Sequence, residues 1–89
     1  MRTIVTVIGT DRVGIIACIS TVLADANVNI LDITQTTMQG IFTMIMLTDT
    51  GKATVSFEEL ANRLKEKGEL LSLQVRIQRE DIFNSMHRI

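Results

Sequence analysis

The sequence has no proline, no tryptophan and no tyrosine, and it has only one cysteine. A single cysteine cannot close an internal disulfide, and Cys18 fits a reducing compartment. An excess of one charge is also missing, because nine lysines and arginines nearly cancel ten aspartates and glutamates. This balance gives no bulk attraction to nucleic acid or to an anionic membrane. The chain also lacks a signal-peptide pattern and an apolar run long enough to span a bilayer, so we expect a cytoplasmic protein.

What is present is an aliphatic chain of 89 residues, 46% of them hydrophobic, with a mean hydropathy of +0.29. This length and composition suit one domain with a single modest core. Aromatic residues make up 3% of the chain and all are phenylalanine, so aliphatic side chains and methionine must build that core. We expect the domain to occupy residues 1–80 and an amphipathic tail to occupy residues 81–89.

Hydrophobic periodicity predicts three strands and one helix in the first half of the chain. The β-branched run over residues 3–8 predicts a strand. Apolar residues at helical spacing predict a helix over residues 14–26. Residues 28–38, rich in threonine, and the apolar residues 41–47 predict two further strands, joined by a tight hairpin turn at Gln39-Gly40.

The second half predicts a helix followed by a strand. Ser56, with Glu59 three residues later, forms a capping box, Glu59 and Arg63 form an i,i+4 pair, and Gly68 suits the helix end. Residues 71–79 alternate between apolar and polar, as in a half-buried strand. The β-α-β-β-α-β order predicts an α+β, ferredoxin-like fold, in which a four-stranded antiparallel sheet carries both helices on one face. A short helical tail would follow at the C-terminus.

Two surfaces are too apolar for a lone monomer. The outer face of the first helix carries no charge, whereas a solvated face would carry several, so we expect a partner there. That face consists of Ile16, Ala17, Ser20, Thr21 and Ala24. The first and third strands have apolar residues on both faces, so both faces of the sheet favour burial. The tail offers one cover, on its own sheet or a partner's, and a frayed terminus is the alternative. Its apolar residues share one helical face: Ile82, Phe83, Met86 and Ile89.

The segment GTDRVGI, residues 9–15, links the first strand to the first helix. It lacks the Lys and Ser/Thr of a P-loop and the G-x-G-x-x-G of a dinucleotide-binding turn. Thr10 or Asp11 is placed to cap the helix. Gly14 in a first helical turn is costly unless another backbone or a ligand approaches closely, and a helix N-terminus is a ready carboxylate site. A capping turn and a ligand-binding turn both remain open.

Three segments of the chain resemble an ACT domain over residues 3–79: the D-R-x-G-I turn, the NVNILD entry to the second strand and the strand GIFTMIML. The likeness is strongest to the ACT domains of formyltetrahydrofolate deformylase and of the glycine cleavage system transcriptional repressor. A chain with one ACT domain and a short tail also resembles stand-alone bacterial ACT proteins. ACT domains are small βαββαβ regulatory modules, many of which bind amino acids. Val13 departs from many members, which have proline after Asp-Arg.

The resemblance implies a non-enzymatic regulatory homodimer, in which the second strands pair side by side and an amino acid binds at the interface. The site residues that it implies are Asp11, Arg12, Val13, Gly14 and Ile15 in the turn, with Asn27 and Asn29 at the second strand. Backbone N–H groups of the turn would receive the α-carboxylate, and Asp11 or a side-chain amide would receive the α-ammonium group. The alternatives are that Asn29 satisfies backbone groups of the strand edge and that Arg12 is only solvated.

Other activities have less support in the residues. The single histidine, His87, has no Cys, Asp or Glu at the spacing of a metal site or a triad, so we expect no enzyme, metal or cofactor. Cys18 suits packing in the first helix. Asp32 either faces water or bonds across a dimer strand pair. RNA binding is disfavoured, because Phe42 is the lone aromatic on a strand and the surface is not basic.

Three hypotheses therefore stand. The favoured one is a homodimer that binds a small metabolite, which the resemblance implies is an amino acid. The alternative is a protein–protein interaction module with no small-molecule ligand, whose turn only caps the helix and whose apolar faces bind an unidentified protein. The third is a tetramer made by sheets packed back to back. That contact would use Ile4, Ile8, Phe42, Met44 and Met46.

Overall fold

The structure, a computed structural model, describes residues 1–81, and its elements follow the predicted order. The predicted tail helix, with Ile82, Phe83, Met86 and Ile89, and the expectation for His87 lie outside the described residues. The elements are β1 (Arg2–Thr10), α1 (Ile15–Asp25), β2 (Asn29–Met38), β3 (Ile41–Asp49), α2 (Phe57–Leu70) and β4 (Leu73–Arg79).

The four strands form one antiparallel sheet in the order β2-β3-β1-β4, which places β1 and β3 at its centre. The predicted hairpin turn is confirmed. Gln39 and Gly40 have φ of 50° and 80°, and a two-residue type I′ turn needs positive φ at both central residues. The α+β, ferredoxin-like architecture is confirmed with it.

Both helices pack on one face of the sheet. The strand register places Val5 opposite Met46 and Val7 opposite Met44, and all four side chains are fully buried. The apolar stripes of the two helices cover them, with Ile19, Leu23, Leu60 and Leu64 at the centre of the core. The core is aliphatic, as the composition predicts, and Phe42 is the one buried aromatic among residues 1–81.

The register corrects the predicted back-to-back contact between sheets. Phe42, Met44 and Met46 lie on the helix-covered face, because they share the parity of the buried core positions on β3. A second sheet therefore cannot reach them. The opposite face, called here the open face, presents a band of five apolar side chains along β1 and β3. They are Ile4, Ile8, Ile41, Ile45 and Leu47.

Gly68 does not end α2, which continues to Leu70. A Cβ on Gly68 would lie 2.6 Å from Cγ2 of Val75 and 3.0 Å from the carbonyl oxygen of Leu73. The glycine therefore allows α2 to approach β4 closely, a role that depends on the neighbouring strand and not on the helix end.

The start of α2 agrees with the prediction. The Ser56 hydroxyl accepts a hydrogen bond from the N–H of Glu59 at 3.1 Å, and Nε of Arg63 donates to the Glu59 carboxylate at 3.1 Å. β4 begins at Leu73, two residues later than expected, because Leu71 and Ser72 form a turn and Ser72 has a φ of 58°. The other predicted boundaries coincide with the observed ones or lie within two residues of them.

Candidate functional site

The turn between β1 and α1, residues 11–14, is held by hydrogen bonds on both sides. The N–H of Asp11 donates to the carbonyl oxygen of Gly40 at 2.9 Å, and the N–H of Cys18 donates to the carbonyl oxygen of Gly14 at 2.9 Å. Gly14 is the N-cap of α1 with a φ of 92°, a backbone conformation that favours glycine. An added Cβ would meet nothing within 4 Å. The backbone angle, and not a close approach within the chain, explains this glycine.

The N-terminus of α1 has no side-chain cap, so the prediction that Thr10 or Asp11 caps it is wrong. The helix begins at Ile15, too far along the chain for either residue to occupy the N-cap. Its first turn contains no acidic residue, whereas the first turn of α2 contains Glu58 and Glu59. Unpaired N–H groups and the helix dipole together favour an anion at such an end.

An open groove of about 580 Å³ lies beside this turn, a volume in the range of small-molecule sites. The turn and the start of α1 form one wall, and Gln35 and Thr37 of β2 form the other. The complete lining is Asp11, Arg12, Gly14, Ile15, Ile16, Ala17, Gln35, Thr37 and Phe42. The groove therefore offers backbone donors, one carboxylate, one guanidinium and an apolar base.

The predicted turn residues divide into those that line the groove and one that does not. Asp11, Arg12, Gly14 and Ile15 line it, whereas the Val13 side chain is 100% exposed and is not part of the lining. Arg12 is more than a solvated charge, because its Nη1 donates to the carbonyl oxygen of Leu71 at 3.3 Å. This bond ties the turn to the segment between α2 and β4.

Sequence reasoning missed the β2 wall of the groove. Gln35 lies opposite Met44 and Thr37 lies opposite Phe42, so both side chains point to the helix-covered face. The signal was available in principle, since both residues share the parity of Ile33 on a strand predicted over residues 28–38. What the sequence does not give is the register with β3, which places them beside the turn.

Asn27 and Asn29 lie at the other end of α1 and not in this groove. α1 has 11 residues, which corresponds to about 16 Å along its axis. The Asn27 amide donates to the carbonyl oxygen of Lys52 at 2.9 Å, with a φ of 59° at Asn27. One chain therefore does not bring the predicted asparagines and the predicted turn together.

The two asparagines instead border a second, more polar groove of about 470 Å³. Its lining is Ala24, Asn27, Val28, Asn29, Asp49 and Lys52. Asp49 accepts the N–H of Gly51 at 2.8 Å and the N-terminal ammonium of Met1 at 3.3 Å. These two donors, the Gly51 bond first, hold the pKa of the Asp49 carboxyl below its ordinary value of 3.8.

One side of the molecule is a strand edge beside an uncharged helix face. β2 is the outermost strand, and every residue of it except the half-buried Ile30 is exposed. The Ile33 side chain, on the helix-covered side of β2, is 39% exposed, and Ile16 on α1 is also exposed. Asp32, beside a register shift in β2, is exposed and accepts the N–H of Ile33 at 2.9 Å. An unpaired edge of this length is open to pairing with another strand.

Within residues 1–81, no cluster of three or more His, Cys, Asp or Glu side chains is placed to hold a metal ion. Cys18 is half-buried in α1, in keeping with a packing role. No helix in this part of the chain combines the length and the apolar character that a membrane crossing requires. The β1–α1 turn and its groove are thus the strongest candidate site among the described residues.

Comparison with known proteins gives a family for the chain. A family model described as ACT domain matches residues 2–78. A UPF0237 protein of Clostridium acetobutylicum is 55% identical over 89 residues, which is the full length of both chains. An ACT domain protein from Streptococcus pneumoniae superposes with a TM-score of 0.81 at 35% identity, covering 93% of each chain.

Larger proteins contain the same fold as one part. A formyltetrahydrofolate deformylase from Pseudomonas syringae superposes with a TM-score of 0.76 at 28% identity, over 88% of this chain and 27% of that one. A structure assigned to a glycine cleavage system transcriptional repressor superposes with a TM-score of 0.72 over 86% of this chain and 44% of that one. Its identity of 24% supports the fold alone. The predicted resemblance is thereby confirmed.

Proposed function

Since this chain belongs to the ACT domain family, we propose that it is a non-enzymatic regulatory protein that binds an amino acid at a homodimer interface. The observation that carries the proposal is the groove at the β1–α1 turn, one wall of which belongs to β2, the edge strand of the described sheet. The bound amino acid would change the stability or geometry of the dimer, and another protein would read that change.

The β2 edge supports a dimer in which two copies pair side by side. Pairing of β2 with β2 across a two-fold axis would satisfy the outward backbone groups of both strands and extend the sheet. The same pairing would bring the uncharged outer faces of the two α1 helices together. Burial of Ile16 and Ile33 would then add to the backbone hydrogen bonds.

Such pairing also explains the separation of the predicted site residues. Two strands related by a two-fold axis run antiparallel, so the start of one lies beside the end of the other. Asn29 begins β2, whereas Gln35 and Thr37 lie toward its end. Asn29 of one copy would therefore approach the groove of the other copy, and the site would be complete only in the dimer.

The chemistry of the completed site suits an α-amino acid. The unpaired N–H groups at the start of α1 would receive the α-carboxylate. Asp11 and the Asn29 amide of the second copy would receive the α-ammonium group through charge-assisted hydrogen bonds. Gln35, Thr37 and Phe42 would then contact the ligand side chain.

Thermal-shift measurements with each of the twenty amino acids test the proposal. A ligand that binds only the folded dimer stabilises it by about 2.7 kcal/mol at a hundredfold excess over Kd. The substitution Asp11→Lys replaces the groove carboxylate that would receive the α-ammonium group with a positive charge, and it should abolish the shift. Asp25→Lys, the same change at an exposed position at the far end of α1, is the matched control and should retain a shift.

A second candidate function is a protein–protein interaction module with no small-molecule ligand. The observation in its favour is the exposure of large apolar side chains on α1 and β2, namely Ile16, Leu31 and Ile33. Absence of a shift with every amino acid, in a protein that is still dimeric, would favour this function and reduce the β1–α1 turn to a structural connection.

A further inference from the structure

The open face of the sheet has the composition of a buried surface. Its apolar band follows the two central strands, where Thr6 and Thr43 interrupt it, and the flanking strands are polar there except for Met38 of β2. Gln74, Arg76 and Gln78 of β4 lie on one side of the band, opposite Ile8, Thr6 and Ile4. Thr34 and Thr36 of β2 lie on the other side. A central apolar band with polar borders is typical of a face that another segment covers.

Exposure along the band rises from one end to the other. Ile4, near the start of β1, is 7% exposed, although neither helix of the described chain packs on this face. Ile45 is 37% exposed, and Ile8, near the other end of β1, is 42% exposed. The band is therefore covered at the Ile4 end and open at the Ile8 end.

The chain leaves the sheet at the covered end. β4 ends at Arg79, which lies opposite Thr3. The next residue, Glu80, turns its carboxylate to Arg2, and Oε2 of Glu80 lies 3.1 Å from Nη2 of Arg2. By the alternation of β1, Arg2 has the parity of Ile4 and lies on the open face. Glu80 and Asp81 have helical backbone, so the chain turns at this point and does not continue the strand.

The eight residues that follow have the length and the pattern to cover the band. As a helix, residues 82–89 would extend about 12 Å. The distance along β1 from Ile4 to Ile8 is about 13 Å. The apolar residues of the segment are Ile82, Phe83, Met86 and Ile89, at i, i+1, i+4 and i+7, which places them on one helical face.

We infer that residues 82–89 dock on the open face of their own chain, with their apolar side chains on the band between Ile4 and Ile8. The Arg2–Glu80 ion pair fixes the entry of the segment. This inference is independent of amino-acid binding, which concerns the opposite face and the β2 edge. It excludes back-to-back packing of two sheets, because the tail occupies the surface that such a tetramer would need.

Cross-linking of the full-length chain tests the inference. In a Cys18→Ser background, Ile45→Cys combined with Met86→Cys places one thiol on the open face and one on the tail. A short bismaleimide should link the two within one chain. Asn62→Cys with Met86→Cys is the matched control, because Asn62 is exposed on α2, which packs on the other face of the sheet and away from the β2 edge. This control pair should give no link.

A link between two chains, seen as a doubled mass on a denaturing gel, would overturn docking on the same chain and place the tail on a partner. Absence of any link in the Ile45–Met86 pair would overturn the inference as well. Nuclear Overhauser effects in the unsubstituted protein give an answer that does not depend on the variants. The Phe83 ring should show contacts to the methyl groups of Ile8 or Ile45, and their absence would also contradict docking.

Discussion

Asp49 is a single side chain that should make the stability of the protein depend on pH. Its pKa is lowered first by the hydrogen bond from Gly51 and then by the N-terminal ammonium. A folded-state pKa below the unfolded one means that Asp49 stabilises the protein above about pH 4. That contribution is lost as the pH falls through 3.8 and below it, where the folded carboxylate takes up its proton.

Asp49→Asn should therefore lower Tm at neutral pH and make no difference in strong acid. The measurement is Tm against pH, from about pH 6 down to about pH 2, where ordinary carboxyl groups titrate. A chain acetylated at Met1 is the control. Because the Gly51 bond is the largest single cause and acetylation leaves it in place, the acetylated chain should keep a pH-dependent difference of reduced size. Parallel curves for the wild type and Asp49→Asn would contradict the assignment.

Single residues also show where sequence reasoning succeeds and where it stops. Gly40 was predictable, because a turn of two residues between two apolar runs needs positive φ in its own local backbone. Gly14 was placed in the right turn, but its role as a left-handed N-cap depends on where α1 begins. Gly68 was assigned to the wrong role, because its reason lies in Val75, a residue of another element.

At the scale of elements, α2 packs closely against β4 at Gly68, and a substitution of this glycine tests how much that close packing matters. In an isolated helix, Gly68→Ala would stabilise by about 1 kcal/mol. Here the new Cβ would meet Val75 at 2.6 Å and a backbone oxygen at 3.0 Å, and overpacking of this kind costs about 1–3 kcal/mol. We expect the second effect to dominate, so that urea denaturation shows a lower free energy of unfolding.

Asn62→Ala is the matched control on the same helix. Asn62 is exposed, so the gain in helix propensity meets no packing cost, and this variant should be more stable by a few tenths of a kcal/mol, or about half a kcal/mol at most. Stabilisation by both substitutions would mean that α2 can move away from β4 at no cost.

At the level of elements, local patterns predicted every helix and strand, and pairing between strands decided the rest. Alternation shows which residues of β3 share a face, but it does not show which face the helices cover, and Met44 was assigned to the wrong one for that reason. The candidate site likewise has one part that local sequence predicts and one part that depends on strand pairing. The turn was predictable from residues 9–15, whereas the Gln35 and Thr37 wall required the β2–β3 register.

At the scale of the whole molecule, residues 1–81 form three apolar surfaces: the helix-covered core, the open face, and the β2 edge with α1. The first is buried within the fold, and the second is assigned to the tail. The third is then left for a second copy, so the two proposals together favour a dimer over a tetramer. Ligand binding at the β1–α1 groove would be coupled to this dimer, since in the proposed pairing Asn29 would reach the groove from the second copy.

Ile33→Lys tests the dimer directly. Ile33 lies on the helix-covered side of the exposed β2 edge, and a lysine there would place two like charges near each other across a two-fold axis. We expect the variant to be folded and monomeric by sedimentation. A dimer that unfolds to monomers has a Tm that rises with protein concentration. The wild type should show this rise and Ile33→Lys should not.

Thr36→Lys is the control for this last prediction, because it adds the same charge on the opposite face of the same strand. Thr36→Lys should leave a larger fraction of the protein dimeric than Ile33→Lys does. Its Tm should still rise with protein concentration. If Ile33→Lys stays dimeric, the second copy does not bind along β2. In that case Asn29 of a second copy would not contribute to the groove. Any thermal shift that an amino acid causes would then have to come from the groove of one chain alone.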